Sequence, residues 1–258
     1  MKTKSLGFIG GGRITKVILQ AIANNKTEYK AIVVFDTNPE VLSALKNQFP
    51  GIILAGSASE AAKHDMVFLA LHPPVIMDTL ELVKDQFKPG SILISLAPKI
   101  TIEKMASKLT TNKNIVRLIP NATSIVNEGY NPVCFNVDMQ EDKKQMMLRI
   151  FRRMGRTFEV PEQKLESYAI MSAMLPTYFW FQWKELVEIG TQIGLTAEES
   201  QNSVRDTLLA AIRTYFYANL QPDEVIDLIP VKPIGGHESE IKAFYHDSLL
   251  PLFEKIKP

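Results

Sequence analysis

Gly10, Gly12 and Thr15 stand in the stretch GFIGGGRIT at the spacing G-x-G-x-x-small. Directly after an apolar strand and at the opening of a helix, that spacing suits the phosphates of a dinucleotide. Gly10 permits a tight turn. Gly12 lets the backbone approach a pyrophosphate, which amides at the helix N-terminus then hold. Thr15 keeps the helix close to the strand. Gly11, Arg13 and Ile14 complete the turn and belong to the same expected contacts. Asp36 ends the next strand, AIVVFD, where a carboxylate can accept bonds from adenosine ribose hydroxyls. Its charge repels a 2′-phosphate, so the expected cofactor is NAD(P)H with NADH slightly favoured; Arg13, Thr37 and Asn38 soften that preference. A turn without ligand and a simple strand-end acid are the plainer readings of these residues.

Two further strand ends are candidates. Leu71, His72 and Pro73 follow the strand DMVFLA, and Pro120 and Asn121 follow NIVRLIP. In an open parallel sheet the carboxyl ends of the strands face the ligand crevice. His72 fits a pocket residue and a solvated loop residue equally well. Near the end of the chain, KPIGGHES places Gly235 and Gly236 side by side. Adjacent glycines are conformationally expensive, so they suit either backbone recognition of an anion or a turn between helices.

The elements that must position these residues alternate through the first half. The apolar strands are SLGFIG, AIVVFD, GIILAG, DMVFLAL, SILISLA, NIVRLIP and GYNPVCFNV. Helical patterns separate most of them, such as RITKVILQAIANN with Ile14, Val17, Ile18, Ala21 and Ile22 at helical spacing. Near-continuous apolar strands between amphipathic helices imply an α/β fold, a Rossmann-type parallel sheet with helices on both faces. RTFEVPE reads as an edge strand. From about Lys164 the pattern is helical only, so the expected division is a dinucleotide-binding domain over 1–162 and an all-helical domain over 163–258. Thr196 and Glu199 are spaced as a capping box.

Bulk properties exclude several classes. The 258 residues carry a net charge of +1, which points to neither nucleic acid nor an anionic membrane. The single cysteine, Cys134, excludes an internal disulfide and a cysteine-based zinc site, and no metal is expected. The most apolar stretch, Tyr168 to Trp183, contains Pro176 and is shorter than the roughly 20 residues a span needs. No leader is expected at the start, and the expected location is cytoplasmic.

These motifs together resemble the pyrroline-5-carboxylate reductase family along nearly the whole chain. FIGGGRITKVILQAI looks like that family's opening turn and helix. LHPPVI matches its Val-Lys-Pro turn, with His72 in the lysine position. SLAPKITIEKMA matches Ser-x-Ala-Ala-Gly-Val-Thr in outline, and VRLIPNATSIVNEGY resembles Arg-Ala-Met-Pro-Asn-Thr-Pro. SAMLPTYFWFQW resembles the family's Ser-Gly-Ser-x-Pro-Ala-Tyr helix, with Ser172, Pro176 and Tyr178 in register. KPIGGHES falls where the family carries Ser-Pro-Gly-Gly-Thr-Thr.

The resemblance implies hydride transfer from NAD(P)H to a cyclic imine, 1-pyrroline-5-carboxylate, giving proline. It implies a homodimer through the C-terminal helices, sometimes stacked into a larger ring. It also places the substrate near Gly235, Gly236, Ser172, Pro176 and Asn121. The substrate side departs from the pattern. Ala173, Met174 and Leu175 are bulkier than the family residues, and His237 and Glu238 replace two threonines. His237 can donate a proton near neutral pH. Glu238 repels a carboxylate but can accept a bond from a protonated imine nitrogen. In the plainer reading both cap the last helix. A reductase of a related imine or carbonyl compound and a non-catalytic NAD(P)-binding sensor or partner subunit are the competing readings. A β-hydroxyacid dehydrogenase ranks lower, because the helix around Ser172 lacks a lysine.

Overall fold

The structure, a computed structural model, describes residues 4–109, 112 and 114–258; the first three residues of the expected N-terminal domain lie outside these. The chain divides into two compact units. The first comprises Met1–Met174 with Phe253–Pro258, and the second is Leu175–Leu252. The expected limit at 162/163 lies upstream of this division. The intervening segment contributes Leu165 and Ala169 to the core beneath the sheet.

One eight-stranded sheet organises the first unit: β1 Ser5–Ile9, β2 Ala31–Phe35, β3 Ile53–Leu54, β4 Met66–Leu69, β5 Ile92–Ser95, β6 Ile115–Leu118, β7 Gly129–Phe135 and β8 Gly155–Glu159. Its order is β3-β2-β1-β4-β5-β6-β7-β8. The first six strands are parallel, in the doubly wound order, and reverse direction of winding between β1 and β4. β7 runs antiparallel to β6, a departure from the all-parallel expectation. The reason is chain length. The link from Leu118 to Gly129 holds only the 3-10 turn Ala122–Val126, too short for the crossover a parallel neighbour demands. β8 closes the sheet as an edge strand.

Helices cover both faces: α1 Arg13–Asn24, α2 Pro39–Gln48, α3 Ala58–Ala61, α4 Pro73–Val83, α5 Ile102–Ala106, α6 Glu141–Phe151 and α7 Leu165–Tyr168. Successive strand residues point to opposite faces, so a sheet buried on both sides needs apolar residues at both parities. β1 and β4 supply them: Leu6, Phe8, Met66 and Phe68 enter one core, while Ile9, Val67 and Leu69 enter the other. Phe8 and Phe68 stack across the strand pair with ring centres 4.6 Å apart. Gly7 alternates with them because a Cβ there would lie 1.8 Å from the Ala61 carbonyl oxygen of α3. After α7 the backbone widens into a π-helical turn, Ala169–Ala173, and the apolar stretch, whose pattern reads as one long helix or as a pair meeting near Pro176, divides just before Leu175.

The second unit is helical. α8 Leu175–Gln192 and α9 Ala197–Tyr217 form a hairpin, followed by α10 Pro222–Asp227 and the start of α11 Glu238–Ile256. Gly190 sits where the hairpin is closest: a Cβ would come 2.1 Å from Ser200 Oγ. Ser200 Oγ donates to the Val187 carbonyl at 2.7 Å across the same contact. The Thr196–Glu199 capping box forms as the sequence predicts. No apolar residue of 175–252 belongs to the buried core, and Phe181, Ile193, Phe216, Tyr217 and Phe244 are each more than 60% exposed. None of the described helices is long and apolar enough to cross a membrane.

Candidate active site

The glycine turn after β1 does three separate tasks. Gly10 has φ +105°, a conformation side chains rarely adopt, and a Cβ there would strike the Ala70 carbonyl oxygen at 2.3 Å. Gly11 packs against Val41 and Leu45 of α2. Gly12 has ordinary backbone angles, and a Cβ on it would meet nothing within 4 Å. Its missing side chain therefore leaves open space rather than relieving strain. Thr15 is fully buried and donates its hydroxyl to the Gly10 carbonyl at 2.6 Å, tying α1 back to the turn.

The open space belongs to a cleft of about 670 Å³ at the carboxyl ends of the parallel strands. Gly11, Gly12, Arg13, Ile14 and Lys16 form one wall, Val41, Ala44, Leu45 and Gln48 of α2 a second. The opposite wall is made of Ala70–Pro73 after β4 and Leu96–Pro98 after β5. The position is the switch point between β1 and β4, where open α/β sheets bind ligands. α1 starts here with no acidic residue in its first turn and no side-chain cap, so no side chain of its own occupies its first amides.

The expected cofactor residues divide into three groups. Gly11, Gly12, Arg13, Ile14, Leu71, His72 and Pro73 line the cleft together, with Gly10 shaping the turn beneath. Asp36, Thr37 and Asn38 stand outside its lining. The Asp36 carboxylate is engaged by the backbone: Oδ2 accepts from the Gly11 amide at 2.7 Å and Oδ1 from the Asn38 amide at 2.8 Å. Asn38 in turn caps α2, accepting from the Glu40 amide at 2.9 Å. Pro120 and Asn121 lie outside the cleft as well. Asn121 is buried and its side chain is spent internally, donating to the Ser172 carbonyl at 2.7 Å and accepting from the Thr123 amide at 2.9 Å.

Ser172 sits in the π-helical turn, buried, with its hydroxyl donated to the Tyr168 carbonyl at 2.7 Å. Pro176 opens α8 in the second unit. Gly235, Gly236 and His237 form a 3-10 turn leading into α11, all exposed, and a Cβ on Gly236 would meet nothing within 4 Å. His237 Nδ1 pairs with Glu240 Oε2 at 3.0 Å, and Glu238 pairs with Lys242 at 2.5 Å. The hydrogen bond and charge of Lys242 hold the Glu238 carboxyl below the usual range, so it is ionised at neutral pH.

Three features of the first unit escape a motif search. Lys16 lies three residues after Arg13, so helical spacing puts both on the cleft face. The wall Leu96–Pro98 follows a strand end as Leu71–Pro73 does, which is the signal that would have found it. A third feature has no local signature. Arg117, fully buried on β6, donates Nη1 to Glu162 Oε1 at 3.0 Å and Nη2 to Glu166 Oε1. Glu166 is itself 1% exposed. Glu166 Oε1 also accepts the Lys99 amide at 2.9 Å, and Glu162 Oε1 accepts the Ile102 amide at 2.7 Å. No cluster of three or more potential metal-ligating side chains occurs among the described residues.

Comparison with known proteins gives the site a context. A family model described as NADP oxidoreductase coenzyme F420-dependent matches residues 5–99. The pyrroline-5-carboxylate reductase of Escherichia coli (strain K12) is 25% identical over 228 residues, covering 88% of this chain and 84% of the relative. The pyrroline carboxylate reductase of Plasmodium falciparum, solved with NADP bound, superposes with a TM-score of 0.80. It is 23% identical, over 99% of this chain and 96% of that one. The pyrroline-5-carboxylate reductase of Coxiella burnetii is 26% identical with a TM-score of 0.71, over 99% of this chain and 95% of that one.

Proposed function

We infer that this chain, a member of the pyrroline-5-carboxylate reductase family, reduces 1-pyrroline-5-carboxylate to proline with NAD(P)H. The observation that carries the reading is Gly12, whose missing side chain leaves room on the face of a 670 Å³ cleft at the sheet's switch point. The residues present fit a dinucleotide: free amides at the start of α1 and two cations, Arg13 and Lys16, toward phosphate. When bound, the nicotinamide supplies the hydride. The chain's own residues bind, orient and exclude water. Asp36 tilts the choice between the two cofactors toward NADH, and dissociation constants for the pair test that preference.

On the substrate side, the reading assigns Gly236 and its neighbours to the carboxylate through backbone amides, supported by the open space before Gly236. Reduction of a protonated imine adds hydride at carbon and leaves the nitrogen's proton in place. Glu238, ionised through Lys242, suits the role of acceptor for that N–H and cannot serve as the proton source. His237, paired with Glu240, stands beside it as the donor if the imine arrives neutral. Ser172 and Pro176 belong to the same proposal as shape-giving residues.

The active form we propose is a homodimer through the helical unit. A unit of this kind with no buried apolar core of its own needs a covering surface. The groove between α8 and α9, lined by Trp183, Val187, Val204, Leu208 and Ile212, supplies a self-complementary candidate. A cytoplasmic setting, where NAD(P)H is at hand, completes the proposal. The decisive assay follows NADH and NADPH oxidation with 1-pyrroline-5-carboxylate. Saturable turnover supports the assignment, whereas tight cofactor binding without turnover on any cyclic imine sinks it.

A further inference from the structure

The loop from Leu96 to Thr101 joins β5 to α5 and carries the Leu96–Pro98 wall of the cleft. Its backbone is unusual at one point. Lys99 has φ +75°, in the left-handed region that favours glycine. The local support is one backbone bond, the Ile100 amide to the Pro98 carbonyl at 3.0 Å, which closes a tight γ-turn on Lys99 of the rare, strained kind. Contacts from outside the loop offset that strain.

Lys99 Nζ reaches the Lys255 carbonyl at 3.4 Å, and the shorter contact is to the buried charge cluster. The Lys99 amide points at Glu166 Oε1, 2.9 Å away, and three residues later the Ile102 amide points at Glu162 Oε1, 2.7 Å away. Both carboxylates are fixed from behind by one guanidinium, that of Arg117, which is 0% exposed on β6. The loop is thus gripped at its middle and at its exit into α5 by acids anchored to the sheet. Replacing such a buried cluster by apolar side chains is often neutral or stabilising, so stability alone is a weak reason for keeping it. Glu166 Oε2 and Arg117 Nε are also buried without a hydrogen-bond partner among the described residues, which a purely stabilising cluster would avoid.

We propose that Glu166 is a positioning residue for cofactor binding: through the Lys99 amide it imposes the left-handed turn that sets the Leu96–Pro98 wall. The proposal rests on the reading of the cleft as the dinucleotide site. Glu162 and Arg117 act through Glu166 and Ile102 rather than on any ligand.

The test measures NADPH dissociation constants by fluorescence, alongside thermal melting, for the full chain. Wild type comes first, with NADH and NADPH: binding of neither defeats the reading of the cleft and overturns the proposal with it. Given wild-type binding, Glu166→Gln is expected to weaken NADPH roughly tenfold, the scale of one lost charge-assisted contact. Lys99→Gly added to Glu166→Gln is expected to restore most of that affinity, because glycine adopts the left-handed turn unaided, while the lowered melting temperature persists. Lys99→Pro leaves Arg117 and its acids intact but removes the amide and the positive φ; it is expected to weaken NADPH similarly and carries the test if Glu166→Gln does not fold. Affinity within twofold of wild type in Lys99→Pro or Glu166→Gln, or no recovery in the double variant, overturns the proposal.

Discussion

At the residue scale, the three adjacent glycines are not equivalent, and substitution separates them. Gly10→Ala forces a side chain into a left-handed turn and against the Ala70 carbonyl. It should cost roughly 1–3 kcal/mol in strain alone and lower the melting temperature. Gly12→Val should leave the melting temperature nearly unchanged, since nothing lies within 4 Å of its Cβ position. Its effect should fall on NADPH affinity, weakened roughly tenfold or more, about 1.4 kcal/mol. Equal melting losses in both variants would contradict this division. Glu238→Gln should lower kcat with little change in NADPH affinity, provided Glu238 meets the imine nitrogen as proposed; an unchanged kcat would return it to its Lys242 pair. Much of this was legible from sequence, because a glycine's task follows from its position in a strand–turn–helix unit. Asp36 was less so. Its place at a strand end shows, but its two backbone bonds to Gly11 and Asn38 depend on how the chain folds back.

At the element scale, periodicity located the strands and helices well, since both sheet faces are buried and α1 and α6 each show one apolar side. It failed where the cause is non-local. The direction of β7 depends on a link too short for a crossover, and the π-helical turn Ala169–Ala173 has no spacing signature of its own. The Arg117 cluster joins residues 99, 102, 117, 162 and 166, which no spacing rule connects. The helical hairpin offers an element-level test. Thr196→Ala removes a capping box and should cost about 1 kcal/mol. Gly190→Ala pushes α8 from α9 at their closest approach, 2.1 Å from Ser200 Oγ, and should cost more while leaving NADPH affinity unchanged. Calorimetry paired with a binding titration checks both.

At the scale of the whole molecule, two expectations stand out. The helical unit without an apolar core should associate, so sedimentation should show a species near twice 29.0 kDa. Leu209→Glu, on the α8–α9 groove, should shift it to monomer and loosen the helical unit. The second concerns pH. Burial, then the charge of Lys88, hold the His64 pKa below its ordinary 6.5. A group depressed on folding adds stability above its unfolded value, and that stability drains as pH falls through 6.5. Asp65 is also depressed: burial opposes the shift, and the Ser5 amide and hydroxyl outweigh it. Its share is lost only below about pH 4. Melting temperature should therefore fall in two stages on acidification, and His64→Gln should flatten the first.

The buried Arg117 also decides where this chain can be cut. A fragment ending at Val160 would keep every strand of the sheet yet leave the guanidinium sealed in the core without either carboxylate. Uncovering one partner of such a pair costs about 3–5 kcal/mol, a large share of what holds a domain together. The limit of the folding unit is therefore drawn by charge balance, several residues beyond the point where the last strand ends.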